Sequence, residues 1–124
     1  MAVELQGLDI GFLKASADLS DYQFHGVKIS TTDFTVAPAT AGAVDGILQN
    51  KPEAAGRACQ VRVSGVSKVE LGGTVAAGGK ATTDSSADLI VTTTDKARIV
   101  GTYLEAGDSG DTVTMLVEPG YLAA

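Results

Sequence analysis

The sequence predicts an all-β fold: a small closed or partly open β-barrel or sandwich of short antiparallel strands, with an extended N-terminal arm. Three observations carry this. Short apolar runs recur every 8–12 residues or so with turn signals between them. The chain holds 15 Gly, while aromatic residues make up 5 % and Trp is absent. Within residues 58–71 the pattern has period two, with Cys59, Val61, Val63, Val69 and Leu71 on one parity and Gln60, Arg62, Ser64, Lys68 and Glu70 on the other. Closure of the sheet is favoured because it hides strand edges.

At 124 residues the chain has the length of one domain. The reading divides it into an arm at 1–20, a barrel at 21–120 and a tail at 121–124. Within residues 1–20, Leu8, Ile10 and Phe12 alternate as a strand does, while Leu5, Leu8 and Phe12 fit a helical stripe that Gly7 and Gly11 weaken. The segment reads as an apolar arm that orders against another surface, or as the first strand of the domain itself.

Tyr22–Ser30 reads as a strand with a change of phase at Gly26, where a bulge is expected. Thr31–Asp33 is a turn, and Phe34–Ala37 is a short strand ended by Pro38. Ala43–Gln49 is a strand with Val44 and Ile47 turned to the core. Lys51-Pro52 marks a loop, and Ala58–Leu71 is a strand pair bent at Gly65. Two double glycines, at 72–73 and 78–79, permit sharp reversals. Lys80–Thr83, Ala87–Thr92 and Arg98–Ala106 are further short strands. Asp111–Val117 is the last, ended by Pro119-Gly120.

Net charge is −6, which disfavours a nucleic-acid partner. The charge is uneven: residues 51–80 hold five Lys/Arg against two acids, and the flanks are acidic. Uneven charge on a solvated surface accounts for this; a basic face that meets an acidic partner is the sharper reading. A lone cysteine excludes an intramolecular disulfide. No apolar run has the length of a membrane span, and the N-terminal sequence lacks the features of a signal peptide. These point away from a membrane partner and toward synthesis in a reducing cytoplasm.

No catalytic constellation is visible. His25 is the only histidine, and it reads as structural or surface-exposed. Cys59 shares the apolar parity and reads as a buried, inert thiol. A Cys59–His25 nucleophile pair has no third, orienting group. Glu105, Asp108 and Asp111 lie in EAGDSGD, which fits a polar turn better than a Ca²⁺ site. The paired glycines match neither a P-loop nor a dinucleotide fingerprint. No enzyme activity, metal or cofactor is expected.

GILQNKP at 46–52, AGRACQVRVSGVSKV at 55–69, GGTVAAGGKATTD at 72–84 and IVGTYLEAGDSGDTVTMLV at 99–117 resemble a known family. It is the small capsid decoration (cement) proteins of tailed bacteriophages. ADLSDYQFHGVKIS at 17–30 looks like that family's first strand, and the resemblance covers about three quarters of the chain. One departure is Gly79, where the family's turn commonly carries an acidic residue.

The resemblance implies a structural protein of the virion, made in the host cytoplasm and placed on the outer capsid surface. Copies, expected as homotrimers, would bind the major capsid protein after the head expands and staple neighbouring capsomers together. Many symmetric copies would gain avidity from modest contacts. The capsid-contact residues expected are Leu5, Leu8, Ile10 and Phe12. Deletion of residues 2–13 is then expected to abolish capsid binding and leave the barrel folded. Other readings are another virion β-module, in head completion or the tail, and a β-clip domain that binds a small ligand. A carbohydrate-binding domain fits less well, because aromatic platforms are scarce.

Overall fold

The computed structural model describes residues 7–123. The fold is all-β. Among the described residues it holds nine strands, β1 Gly7–Ala15, β2 Gly26–Ile29, β3 Thr35–Pro38, β4 Gly46–Leu48, β5 Ala58–Glu70, β6 Lys80–Thr83, β7 Leu89–Thr92, β8 Arg98–Tyr103 and β9 Thr112–Tyr121, with one 3-10 turn at Ser20–Tyr22.

The strands form two rings that share β5. The sheet order is β1-β3-β2-β4-β5-β9-β8-β6-β7, and β1 pairs with β5 as well as with β3. That extra pairing closes β1-β3-β2-β4-β5 into the first ring. The second runs β5-β9-β8-β6-β7 and is completed by a single parallel bridge between Leu71 and Leu89. Pairing is antiparallel except at that bridge and between β1 and β3.

β5 serves both rings because it bends. Ala58–Gly65 pairs with β1, and Gly65–Glu70 pairs with β9. Gly65 sits at the change with φ 109°, a conformation that a side chain strongly disfavours. The expected bend at Gly65 is therefore present, within one 13-residue strand rather than between two.

Each ring has its own apolar interior. Leu13, Ala15, Leu19, Val27, Val36, Leu48, Cys59 and Val61 fill the first. Val69, Leu71, Leu89, Val100, Tyr103, Val113, Met115 and Val117 dominate the second, joined by Ala39, Val44 and Ile47 from the first ring's side of the seam. The expected core positions Val44 and Ile47 thus bind the two halves together.

Four expectations are corrected. Tyr22–Ser30 is not one bulged strand. Phe24 takes φ 65°, its N–H donates to the Leu48 carbonyl and its carbonyl accepts from Glu70 N–H, so the chain crosses the seam before β2 begins at Gly26. The last strand does not end at Pro119-Gly120. Ile99 pairs with Gly120 and Gly101 with Val117, so Glu118 and Pro119 together oppose Val100. Pro119 lies in this bulge, where its missing N–H costs no ladder bond.

Arg62, on the expected wet parity, is buried at 7 % exposure. β1 crosses it, and its guanidinium meets Asp9 and the Val66 carbonyl. The basic segment also forms no single face: Arg62 is enclosed, Lys68 lies over the Phe24 ring, and Lys80 donates to Thr102 in the second ring. No helix among the described residues is long and apolar enough to cross a membrane.

Candidate contact surface

Residues 7–15, the described part of the expected arm, are strand β1 of the first ring. Leu5 lies outside the described residues. Ile10 turns inward and packs against the first core. Leu8 and Phe12 turn outward and are 62 % and 66 % exposed.

A bulge makes this division. Ile10 pairs with Val61 and Leu13 with Cys59, so Gly11 and Phe12 together oppose Gln60. The extra residue switches the inward parity from Ile10 to Leu13 and Ala15, and it leaves Phe12 in solvent.

Phe34 joins Phe12 there. It sits in the β2–β3 hairpin at φ 55°, a conformation uncommon for a bulky residue, and it is 64 % exposed. Its ring meets Phe12 edge-on, with centroids 5.9 Å apart and planes at 62°. The Phe34 carbonyl accepts a 2.7 Å hydrogen bond from Lys14 N–H, which fixes the hairpin against β1. Two separate backbone irregularities therefore hold two phenyl rings together outside the core. The sequence reading missed Phe34 because it counted the residue as the start of a strand. The signal was the preceding Thr-Thr-Asp turn, which leaves the next side chain at a corner.

The residues weighed for chemistry are occupied structurally. His25 Nε2 lies 2.9 Å from Asp88 Oδ1, Nδ1 lies 3.0 Å from the Gln23 carbonyl, and the ring stands edge-on to Tyr22. This group spans the seam between the rings. Cys59 is fully buried in the first core, near only the Arg57 carbonyl as a polar partner, and burial pushes its thiol pKa up. The two are not brought together as a nucleophile pair.

In the acidic segment, Asp108 N–H donates to Asp111 Oδ2, Thr74 Oγ1 bonds Asp108 Oδ1, and Glu105 accepts from Thr114 N–H. A hydrogen bond from the Thr114 side chain, more than the one from its N–H, holds the Glu105 carboxyl below its usual range. Among the described residues no group of three His, Cys, Asp or Glu side chains is placed to hold a metal.

No family model matches this sequence, and no curated protein matches it. Among solved structures the chain is similar to the N base of the head fiber protein gp8.5 of bacteriophage phi29. The TM-score is 0.72 at 17 % identity, over 94 % of this chain and 100 % of that one. At this identity the likeness establishes a shared fold, one in which the whole of that base is matched.

Proposed function

We propose that this protein is a structural component of a tailed-phage head, a decoration protein that binds the outer surface of the expanded shell and ties neighbouring major capsid proteins together. The observation that carries the reading is the shared fold with a head fiber base, matched over nearly the whole chain. The decoration-family resemblance of residues 46–117 supports it from the sequence side.

The contact surface of this reading is Leu8, Phe12 and Phe34; Leu5, also expected to take part, lies outside the described residues. Ile10 serves the fold. Homotrimers would present this surface three times, so that weak single contacts add up. No catalytic step or cofactor enters the role.

Co-sedimentation with heads that lack the protein tests it. Saturable binding to expanded heads only, at a fixed ratio to the major capsid protein, is expected. Absence of binding to either head form would overturn the decoration role. Binding at only a few sites per particle would favour a head-completion or tail module instead.

A further inference from the structure

Among the described residues, Phe24, Phe34, Ala87 and Lys96 take left-handed backbone conformations without being glycine. A side chain disfavours that region, and a bulky one most. Three of these residues have a reason within the fold. The N–H and carbonyl of Phe24 bond Leu48 and Glu70 across the seam, and its ring lies beneath the Lys68 ammonium. Ala87 is buried, carries only a methyl group and accepts from Gly26 N–H. Lys96 donates its N–H to the Leu122 carbonyl, and its unbranched side chain is exposed.

Phe34 differs from these. Its backbone has a reason, because its carbonyl receives Lys14 N–H, but its mostly exposed ring fills no place in the core. Glycine or asparagine would take the same turn with less strain. The turn nonetheless holds a phenylalanine there. Ser30 N–H donates to the Thr35 carbonyl at 2.9 Å, and Thr35 N–H to the Thr32 carbonyl at 3.2 Å. Thr32 N–H donates to Ser30 Oγ at 3.1 Å, and Thr35 Oγ1 to the Asp33 carbonyl at 3.0 Å. The ring is thereby fixed outside the core, edge-on to Phe12.

A strained residue whose side chain the interior does not use points to a role at the surface. We infer that Phe34 is the anchor of the contact surface, a ring preset against Phe12 and held there at a cost to fold stability, with Leu8 at its rim. This rests on the reading that this surface meets the shell. An anchor of this kind fills a pocket on its partner and carries much of the binding energy, while rim residues carry little. A ring already fixed in the free protein loses little freedom on binding.

The test compares the native protein with Phe34→Ala, Phe34→Gly and Leu8→Ala. Both position-34 variants lack the ring, so they differ in backbone strain. Phe34→Gly is expected to melt about 2–5 °C above Phe34→Ala, reversing the order the two residues show at ordinary positions. In co-sedimentation with expanded heads, both should bind at least about tenfold more weakly than the native protein, and Leu8→Ala about threefold more weakly or less. NOEs between the Phe12 and Phe34 rings are expected in the free native protein. Phe34→Gly melting no higher than Phe34→Ala, or absence of those NOEs, would overturn the preset, strained ring. Equal losses for Leu8→Ala and Phe34→Ala would overturn the anchor and leave the surface reading intact. Full binding by all three variants would move the contact elsewhere, and no binding by the native protein would remove the shell role itself; either overturns the anchor as well.

Discussion

Asp9 and Arg62 face each other in register across β1 and β5 and are joined twice, Nε to Oδ1 at 2.7 Å and Nη2 to Oδ2 at 3.2 Å. Arg62 Nη1 also donates to the Val66 carbonyl at 2.7 Å, on the far side of the Gly65 bend. One guanidinium thus ties the closing strand of the first ring to the point where β5 passes into the second.

The pair is unequal in burial, and this sets the mutational order. The Arg62 side chain is 9 % exposed and that of Asp9 is 27 %. Asp9→Ala leaves an enclosed cation without its carboxylate and is expected to cost about 2–3 kcal/mol. Arg62→Met keeps the apolar stem and leaves a carboxylate that water reaches, so it should cost less. Urea unfolding midpoints at constant m-value measure both. An Arg62→Met variant less stable than Asp9→Ala would refute the burial argument.

Gly101 marks the closest approach of β8 to β9. A Cβ built there would lie 2.1 Å from the Leu116 carbonyl oxygen, which belongs to backbone and has no room to yield. Gly101→Ala is expected to destabilise by about 3 kcal/mol or more, through displacement of a core ladder. Gly11→Ala is the matched control, because nothing lies within 4 Å of its built Cβ. Its effect should stay within about 1 kcal/mol in either direction. Thermal melts of the two variants side by side decide the matter.

Much of this architecture was legible because strand alternation and glycine placement are local signals. Val44 and Ile47, expected as core contacts, and Cys59, Val61, Val69 and Leu71, placed inward by parity, are all buried, while Val63 on the same parity is only half-buried. Gly65 announced the bend. The sharing of β5 between two rings was not legible, since register between distant strands leaves no local mark. Arg62 looked wet because alternation reports the face of one strand and not what crosses it. Phe12 and Phe34 were harder still. A bulge moves one and a left-handed residue positions the other, and neither irregularity breaks the hydrophobic pattern. Pro119 misled for the opposite reason: a residue that usually ends a strand sits in a bulge that accommodates it.

Tyr103 makes stability sensitive to alkali. It is 1 % exposed, its hydroxyl donates to the Ile90 carbonyl at 2.7 Å, and burial pushes its phenol well above the ordinary value. The fold therefore favours the neutral form. An unfolded phenol ionises near pH ~10, so the stabilisation is whole below that and declines as pH rises through and beyond it. Tyr103→Phe should lose about 1 kcal/mol at neutral pH by leaving the Ile90 carbonyl without this donor. Its stability should then decline less steeply than the native protein's above pH ~10. Denaturant midpoints across that range check this, and parallel curves for the two proteins would exclude Tyr103 as the cause.

The Phe12–Phe34 surface is best probed by single residues, because β1 belongs to the first ring. Deletion of residues 2–13 removes Leu13 from the core and takes away most of the β1–β5 pairing, so lost binding would follow from an opened ring. Phe12→Ser and Phe34→Asn avoid this. Both side chains are mostly exposed, so stability should change by about 0.5 kcal/mol or less. Asn also tolerates the left-handed backbone at position 34 better than Phe does. If this surface meets the shell, the double variant should lose head binding at least about tenfold with an unchanged melting curve. Val91→Ser, at an exposed apolar position on the second ring, should bind as the native protein does. Full binding by the double variant would move the contact elsewhere on the molecule, even with the decoration role intact.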